Sequence, residues 1–456
     1  MRREDINVDD RFVSCDRDTP LLFPPDLRDW VPEDDFVHFV VEVVNEVRMD
    51  SFRTKRTRSG SKQYNPRMML GLLIYCYSQG TFPSRKIERA TYRDVGVRFL
   101  TANEHPDHDT ICKFRRENAG AIAEAFIEAL RLGREAGMLK VGTVSVDGTL
   151  IDANASKYKT VDYGRICELE KQLEADVDEL MKRAEQADRE DENDGQSLPD
   201  ELTGRKKLKS KLAEARARLE RQAKERADAE RPVYEEKLRK RERNRAGGRA
   251  PKPPSERPSD TDRINLTDPD AKLMRKSQKS AWRQAYNCQA TVDADGSQLV
   301  LANHVSTCSS DNNELEPALH GVPAEVGTPT AVLADTGYVN ADAFDRLGEE
   351  GYDLYVAVSR LESHRDRTYD FRTKVSTSSK VVRDPRLLEM KAKLKTPAAR
   401  EKYKRRTSTV EPVFGIIKRV LGFRQFSLRG LSKVALQWDL VCLTYNLKRL
   451  FNLKNA

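Results

Sequence analysis

The sequence predicts an α/β protein: a mixed sheet, preceded by a helical domain and interrupted by a helical hairpin. Three observations predict it. Apolar residues between Asp34 and Gly137 recur at helical spacing. β-forming stretches follow at Val141–Ala153 and resume beyond Tyr286, and two of them carry or end in an aspartate. Between these, residues 163–245 are rich in Glu, Lys, Arg and Ala, with narrow apolar stripes. The division is therefore 1–140 for the helical domain and 141–162 for the first part of the sheet domain. Residues 163–260 are the inserted hairpin and its linker, 261–430 the rest of the sheet domain, and 431–456 a closing helix.

The helical domain comes first. Val37, Phe39, Val40, Val43 and Val44 make one apolar face. Pro66, at a first-turn position, opens a buried helix from Met68 to Ser78, and helical stretches at Ile87–Leu100 and Thr110–Leu132 follow. A basic loop holds Arg53, Lys55, Arg56, Arg58 and Lys62. Residues His105–Thr110 cap a helix carrying Lys113, Arg115 and Arg116. A short helix, a turn and a basic helix suit a DNA-binding module of helix-turn-helix type, with Arg115 and Arg116 as its DNA contacts. The competing reading is a bundle with a solvated basic face.

In the sheet domain, Val144, Val146, Leu150 and Ile151 surround Asp147 and mark a central strand. A carboxylate there is costly unless paired or metal-bound. The alternative is an Asp147-Gly148 turn. After the insertion, Tyr286–Ala294 and Gln298–Val305 form a hairpin. Ser309–Asn312 caps a helix, Ala331–Tyr338 is a buried strand ending at Asp335, and Leu354–Val358 is another. Asp311 and Asp152 read as a cap and a surface acid. A later helix buries Val410, Phe414, Ile417 and Leu421 and presents Glu411 and Lys418 from a second face. Pro412 belongs in its first turn, with Thr409 as N-cap. Leu431–Phe451 closes the chain as a strongly apolar helix.

The inserted stripes, Ile166, Leu169, Leu173, Val177 and Leu180 against Leu208, Leu212, Ala215 and Leu219, predict an antiparallel hairpin of coiled-coil type. Its Lys/Arg flank, Arg205 to Lys211, is free for phosphates or is a solvated face. Composition bounds the rest. A net charge of +8 favours nucleic acid as partner over a membrane. No apolar run approaches a membrane span, and no signal peptide is visible, so a cytoplasmic, nucleoid-associated protein is expected. Seven cysteines without C-x-x-C spacing and six scattered histidines argue against structural zinc, and leave oxygen to hold any metal.

Strand with Asp, hairpin, helix, strand with Asp, helix with Glu is the order of a ribonuclease H-like nuclease core. Three convergent carboxylates repel one another unless cations lie between them, and two Mg²⁺ ions roughly 3.5–4 Å apart answer that charge. Val146–Thr149 (Val-Asp-Gly-Thr), Ala334–Tyr338 (Ala-Asp-Thr-Gly-Tyr) and Tyr403…Arg406…Glu411…Lys418 resemble bacterial insertion-sequence DDE transposases with the Tyr-Arg-Glu-Lys signature. The resemblance covers most of the chain outside the helical hairpin. It implies that Asp147, Asp335 and Glu411 are the catalytic, metal-binding triad, loaded with two Mg²⁺ or with Mn²⁺ as substitute. It implies that Tyr403, Arg406 and Lys418 hold the transferred DNA end. The Arg406–Glu411 gap is longer than the usual pattern, so Arg405 is the alternative to Arg406. The inserted domain, helical and placed after the first acidic strand, departs from the best-known members. The implied activity is cleavage of the element's own terminal inverted repeats and their joining to target DNA, within a homodimeric paired-end complex. A nuclease without strand transfer and a non-catalytic DNA-binding derivative are the alternatives.

Overall fold

The structure, a computed structural model, describes residues 26–54, 63–190, 197–243, 250–276, 279–358 and 382–455, with no side-chain description for 183–190 and 197–202. Of the expected basic loop only Arg53 falls within these residues; Lys55, Arg56, Arg58 and Lys62 lie outside them.

Among the described residues, six α-helices precede the sheet: α1 (Phe36–Glu46), α2 (Pro66–Ser78), α3 (Ser84–Arg93), α4 (Val95–Leu100), α5 (His108–Glu117) and α6 (Ala119–Glu135). Asn65 caps α2 by accepting from the amides of Arg67 and Met68, and Pro66 takes the first-turn position where its missing N–H costs nothing. The expected helix 87–100 is two helices. Asp94 ends α3 and caps α4 through the Val97 amide. The expected helix 110–132 likewise breaks, at Asn118, between α5 and α6.

The sheet strands are β1 (Thr143–Asp152), then, beyond β2 (Thr160–Asp162), α7 (Tyr163–Glu190), α8 (Ser197–Arg243) and β3 (Arg263–Asn265), the strands β4 (Lys272–Met274), β5 (Arg283–Asp293) and β6 (Val300–Ser306). They continue through α9 (Leu315–His320), β7 (Ala331–Ala334), α10 (Ala341–Glu349) and β8 (Asp353–Val356). The chain ends with α11 (Pro385–Lys393), α12 (Pro397–Gly415) and α13 (Leu431–Lys454). The sheet order is β4-β5-β1-β7-β8, with β6 also pairing β5. β1 is antiparallel to β5 and parallel to β7, and β7 is parallel to β8. The sheet is thus mixed and the fold α/β, as expected. Asp147 sits inside β1 opposite Ala290, so the Asp147-Gly148 turn is ruled out. Strands β2, β3 and β4 are three residues each, too short to show a period in sequence.

α13 ties bundle to sheet. Its Asn446 accepts from the Val300 amide and donates to the Val300 carbonyl, both at 2.8 Å, while Lys448 reaches the Ser78 carbonyl of α2. The buried Trp438 donates to the Gln289 carbonyl at 3.1 Å. Apolar side chains of α1, α2, α6, β1, β5, β6 and α13 form one continuous core. A helix wedged between two layers has no wet face, which explains its apolar sequence.

The insertion has its own small core of Ile166, Leu173, Leu212, Ala215, Leu219 and Ile264. Its base is a two-stranded ribbon in which Val161 pairs with Ile264, and the Tyr163 amide donates to the Asp262 carbonyl at 2.9 Å. Arg205 and Lys209 of the basic flank pair with Asp176 and Glu174 across the hairpin, while Lys206, Lys207 and Lys211 are exposed. Separate cores and adjoining ends give a prediction. Replacing residues 164–261 by a short Gly/Ser turn leaves a chain that unfolds cooperatively, within roughly 5 °C of the intact protein by calorimetry. Loss of the transition would show that the hairpin is part of the main fold.

Candidate active site

β1 pairs with β7 only at Thr143, Val144 and Ser145, while its pairing with β5 runs on to Asp152. β7 ends at Ala334, and the next residue is Asp335. A notch therefore opens where the parallel pairing stops, with Asp147 on one side and Asp335 on the other. Asp335 accepts from the Gly337 amide at 2.8 Å, which closes a single 3₁₀ turn and fixes its carboxylate. Asp147 accepts from the Gly148 amide at 2.8 Å.

α12 crosses above this notch. The expected stripe, Val410, Phe414, Ile417 and Leu421, is buried along its underside and the turn that follows it, and Val413 is buried beside it. Arg406 projects into the notch with 13% of its side chain exposed. One guanidinium nitrogen lies 3.4 Å from Asp147 and another 3.3 Å from Glu411, whose own side chain is 54% exposed. Both contacts are long for charge-assisted bonds, and the Arg406 Nε is buried without a partner. Tyr403 adjoins Arg406, and burial raises its pKa. Arg405 faces the other way, to Asp295 at 3.4 Å, so Arg406 rather than its neighbour addresses the acids. The Lys418 amine donates to the Thr149 hydroxyl (2.5 Å) and the Leu150 carbonyl (2.9 Å) of β1, and burial lowers its pKa.

Two expectations about this helix are corrected. α12 begins at Pro397 with Thr396 as N-cap, so Thr409 and Pro412 are interior. The Thr409 hydroxyl bonds back to the Arg405 carbonyl instead of capping. Pro412 supplies no N–H to Ser408, and the freed Ser408 carbonyl accepts from the Gln298 side chain at 2.9 Å. After Gly415 the helix widens into a π turn, Ile416–Val420, where the Leu421 amide reaches the Ile416 carbonyl.

Arg115 is also corrected. It is 2% exposed, and its guanidinium donates to the Tyr77 hydroxyl at 2.9 Å inside the bundle, so it does not face DNA. Lys113 and Arg116 on the same helix are exposed. Asp107 caps that helix through the Thr110 amide, as expected.

Asp311 is the residue that sequence reasoning missed. It does not cap α9 with its side chain. Its Oδ1 accepts from the side-chain amides of Asn287 and Gln289, each at 2.7 Å, which turns it into the notch. Asp152, read as a surface acid, is half-buried and pairs with Arg283 at 3.0 Å.

The electrostatics follow from this crowding. Burial, then the field of Asp335, push the Asp147 carboxyl up to about 7; Arg406 pulls it down and Asp311 adds to the rise. Burial raises Asp311 too, against its two amide donors. Burial works to lower the Arg406 pKa, but Tyr403, Asp147, Asp335 and Glu411 outweigh it and hold it above its ordinary value. The donors are all carboxylate oxygens, the chemistry that suits Mg²⁺. As the side chains lie, no group of three His, Cys, Asp or Glu among the described residues is placed to hold a metal ion. Arg406, set between Asp147 and Glu411, supplies positive charge among these carboxylates.

Residues 259–447 match the family described as a transposase DDE domain, and residues 25–117 match one described as a transposase domain. The first match contains Asp311, Asp335, Arg406 and Glu411; Asp147 lies between the two. Comparison with curated proteins and with solved structures finds no match. The two domain matches support a transposase function, with DNA as partner. No helix among the described residues is long and apolar enough to cross a membrane.

Asp147 makes the metal-free protein pH-sensitive. A raised folded-state pKa means that its contribution to stability is present below the ordinary value of 3.8 and is lost as pH rises through about 7. Asp147→Asn without metal is expected to melt above the wild type at about pH 8, with the gain vanishing near pH 4. Melting curves at both pH values check this; a gain independent of pH would mean that Asp147 is not buried against other charges.

Proposed function

We propose that the chain is a DNA transposase that cleaves the ends of its own insertion sequence and joins them to target DNA by metal-dependent phosphoryl transfer. The observation that carries the reading is the meeting of Asp147 from β1, Asp335 from the end of β7 and Arg406 with Glu411 from α12 at one notch. Three neighbouring antiparallel strands, β1, β5 and β6, followed by β7 and β8 running parallel to β1, with acids at the break, support a ribonuclease H-like core.

Asp147, Asp335 and Glu411 would hold two Mg²⁺ ions, or Mn²⁺. When bound, these supply Lewis-acid stabilisation and an activated oxygen nucleophile for in-line displacement at phosphorus. The chain's own groups do the rest. Arg406 neutralises Asp147 and Glu411, and with its guanidinium withdrawn both carboxylates would be free as oxygen donors. Tyr403 and Arg406 line the approach to the notch and suit the phosphates of a DNA end. Lys418 braces β1 beside Asp147. Arg116 and Lys113, exposed on α5, suit the DNA backbone. The hairpin projects from a two-stranded stem, a placement that suits gripping DNA or a second subunit when two ends are paired.

The assay is direct. Duplexes carrying the inverted repeats that flank the gene are incubated with protein, Mg²⁺ and a target plasmid. Nicking at the repeat end and a joined product are expected. Asp147→Ala, Asp335→Ala and Glu411→Ala are each expected to lose both products while still shifting the end duplex in a gel. Cleavage without joining would instead mark a nuclease, and binding without cleavage by the wild type a non-catalytic derivative. Full joining by any one variant removes that residue from the site.

A further inference from the structure

Asp311 has no part in the triad, yet its carboxylate is delivered to the same notch from the opposite face of the sheet. α12 covers the Asp147 face. Asp311 reaches in beside Gly148, whose cross-strand partner is Gln289. Gln289 donates to Asp311 and accepts from the buried Tyr338 hydroxyl, and Asn287 donates from the same strand. Two amides thus hold Oδ1 and leave Oδ2 directed at the turn after Asp335.

Two glycines measure the space. A Cβ on Gly337 would lie 2.9 Å from Asp335 Oδ1 and 3.2 Å from Asp311 Oδ2. One small volume therefore touches an oxygen of each carboxylate. A Cβ on Gly148 would meet the Gln289 side-chain amide first and lie 2.8 Å from both Asn287 Oδ1 and Asp311 Oδ1, so a side chain there would disturb the whole cluster that holds Asp311. Carboxylates this close repel unless a cation lies between them. A purely structural clamp would be served as well by Asn, which accepts the same two bonds without the repulsion. The negative charge facing Asp335 calls for a positive ion.

We propose that Asp311 is a further oxygen ligand of the divalent cation held by Asp147 and Asp335, so that the site takes its acids from both faces of the sheet. This rests on the metal-dependent reading above.

The test uses the full chain and Mn²⁺ as probe, with binding followed by calorimetry and by electron paramagnetic resonance, and melting recorded without metal. Asp311→Asn is expected to weaken Mn²⁺ binding about tenfold or more while melting at or above the wild-type temperature, because a repulsive charge is gone. Asp311→Ser, which abolishes the amide contacts as well, is expected to lose binding equally and to melt lower. Unchanged Mn²⁺ affinity in Asp311→Asn would overturn the assignment alone. A wild type that binds no Mn²⁺ would overturn it together with the metal-dependent reading. Should Asp311→Asn fail to fold, Asp311→Ser with wild-type Mn²⁺ affinity would still overturn it.

Discussion

The structure depends on a buried carboxylate at the centre of its sheet. Asp147 has 19% of its side chain exposed and Asp335 alongside it. A charge so placed is costly unless something positive accompanies it. α12 meets that need. Its apolar stripe docks it on the sheet, Lys418 fixes it to β1, and Arg406 then falls between Asp147 and Glu411. The long contacts and the unpartnered Nε show a cation that fits the charge but not the geometry. A divalent ion, with no directional N–H to satisfy, answers the same charge more compactly.

The remaining architecture keeps that notch open and rigid. α13, buried between bundle and sheet, fixes β5 and β6 through Trp438 and Asn446. β5 in turn carries Asn287 and Gln289, which hold Asp311. A rigid sheet edge suits chemistry that depends on placing oxygens against a phosphorus atom. The long hairpin is built apart, on its own core, and contributes none of these acids.

Much of this was legible in the sequence, for physical reasons. Asp147 declares itself as an acid in an apolar strand, and Asp335 as an acid ending one. The stripe of α12 and the narrow seams of the hairpin follow from periodicity. What escaped depends on contacts distant in sequence. Pro412 looks like a first-turn residue because nothing local reveals that Gln298 will satisfy the freed Ser408 carbonyl. Arg115 looks like a DNA contact until Tyr77, from another helix, claims it. Asp311 sits in Ser-Ser-Asp-Asn, which reads as a cap; its turn toward the notch is set by amides on β5. Strands of three residues carry no period to read.

The central claim is that the notch is a cation site which Arg406 neutralises until metal and DNA arrive. Anomalous scattering from a crystal of the protein bound to an end duplex and Mn²⁺ tests it most directly. The account predicts a manganese peak bonded to Asp147 and Asp335, with the Arg406 guanidinium withdrawn from Asp147. Arg406 still lodged between Asp147 and Glu411, with manganese absent from the notch, would contradict it.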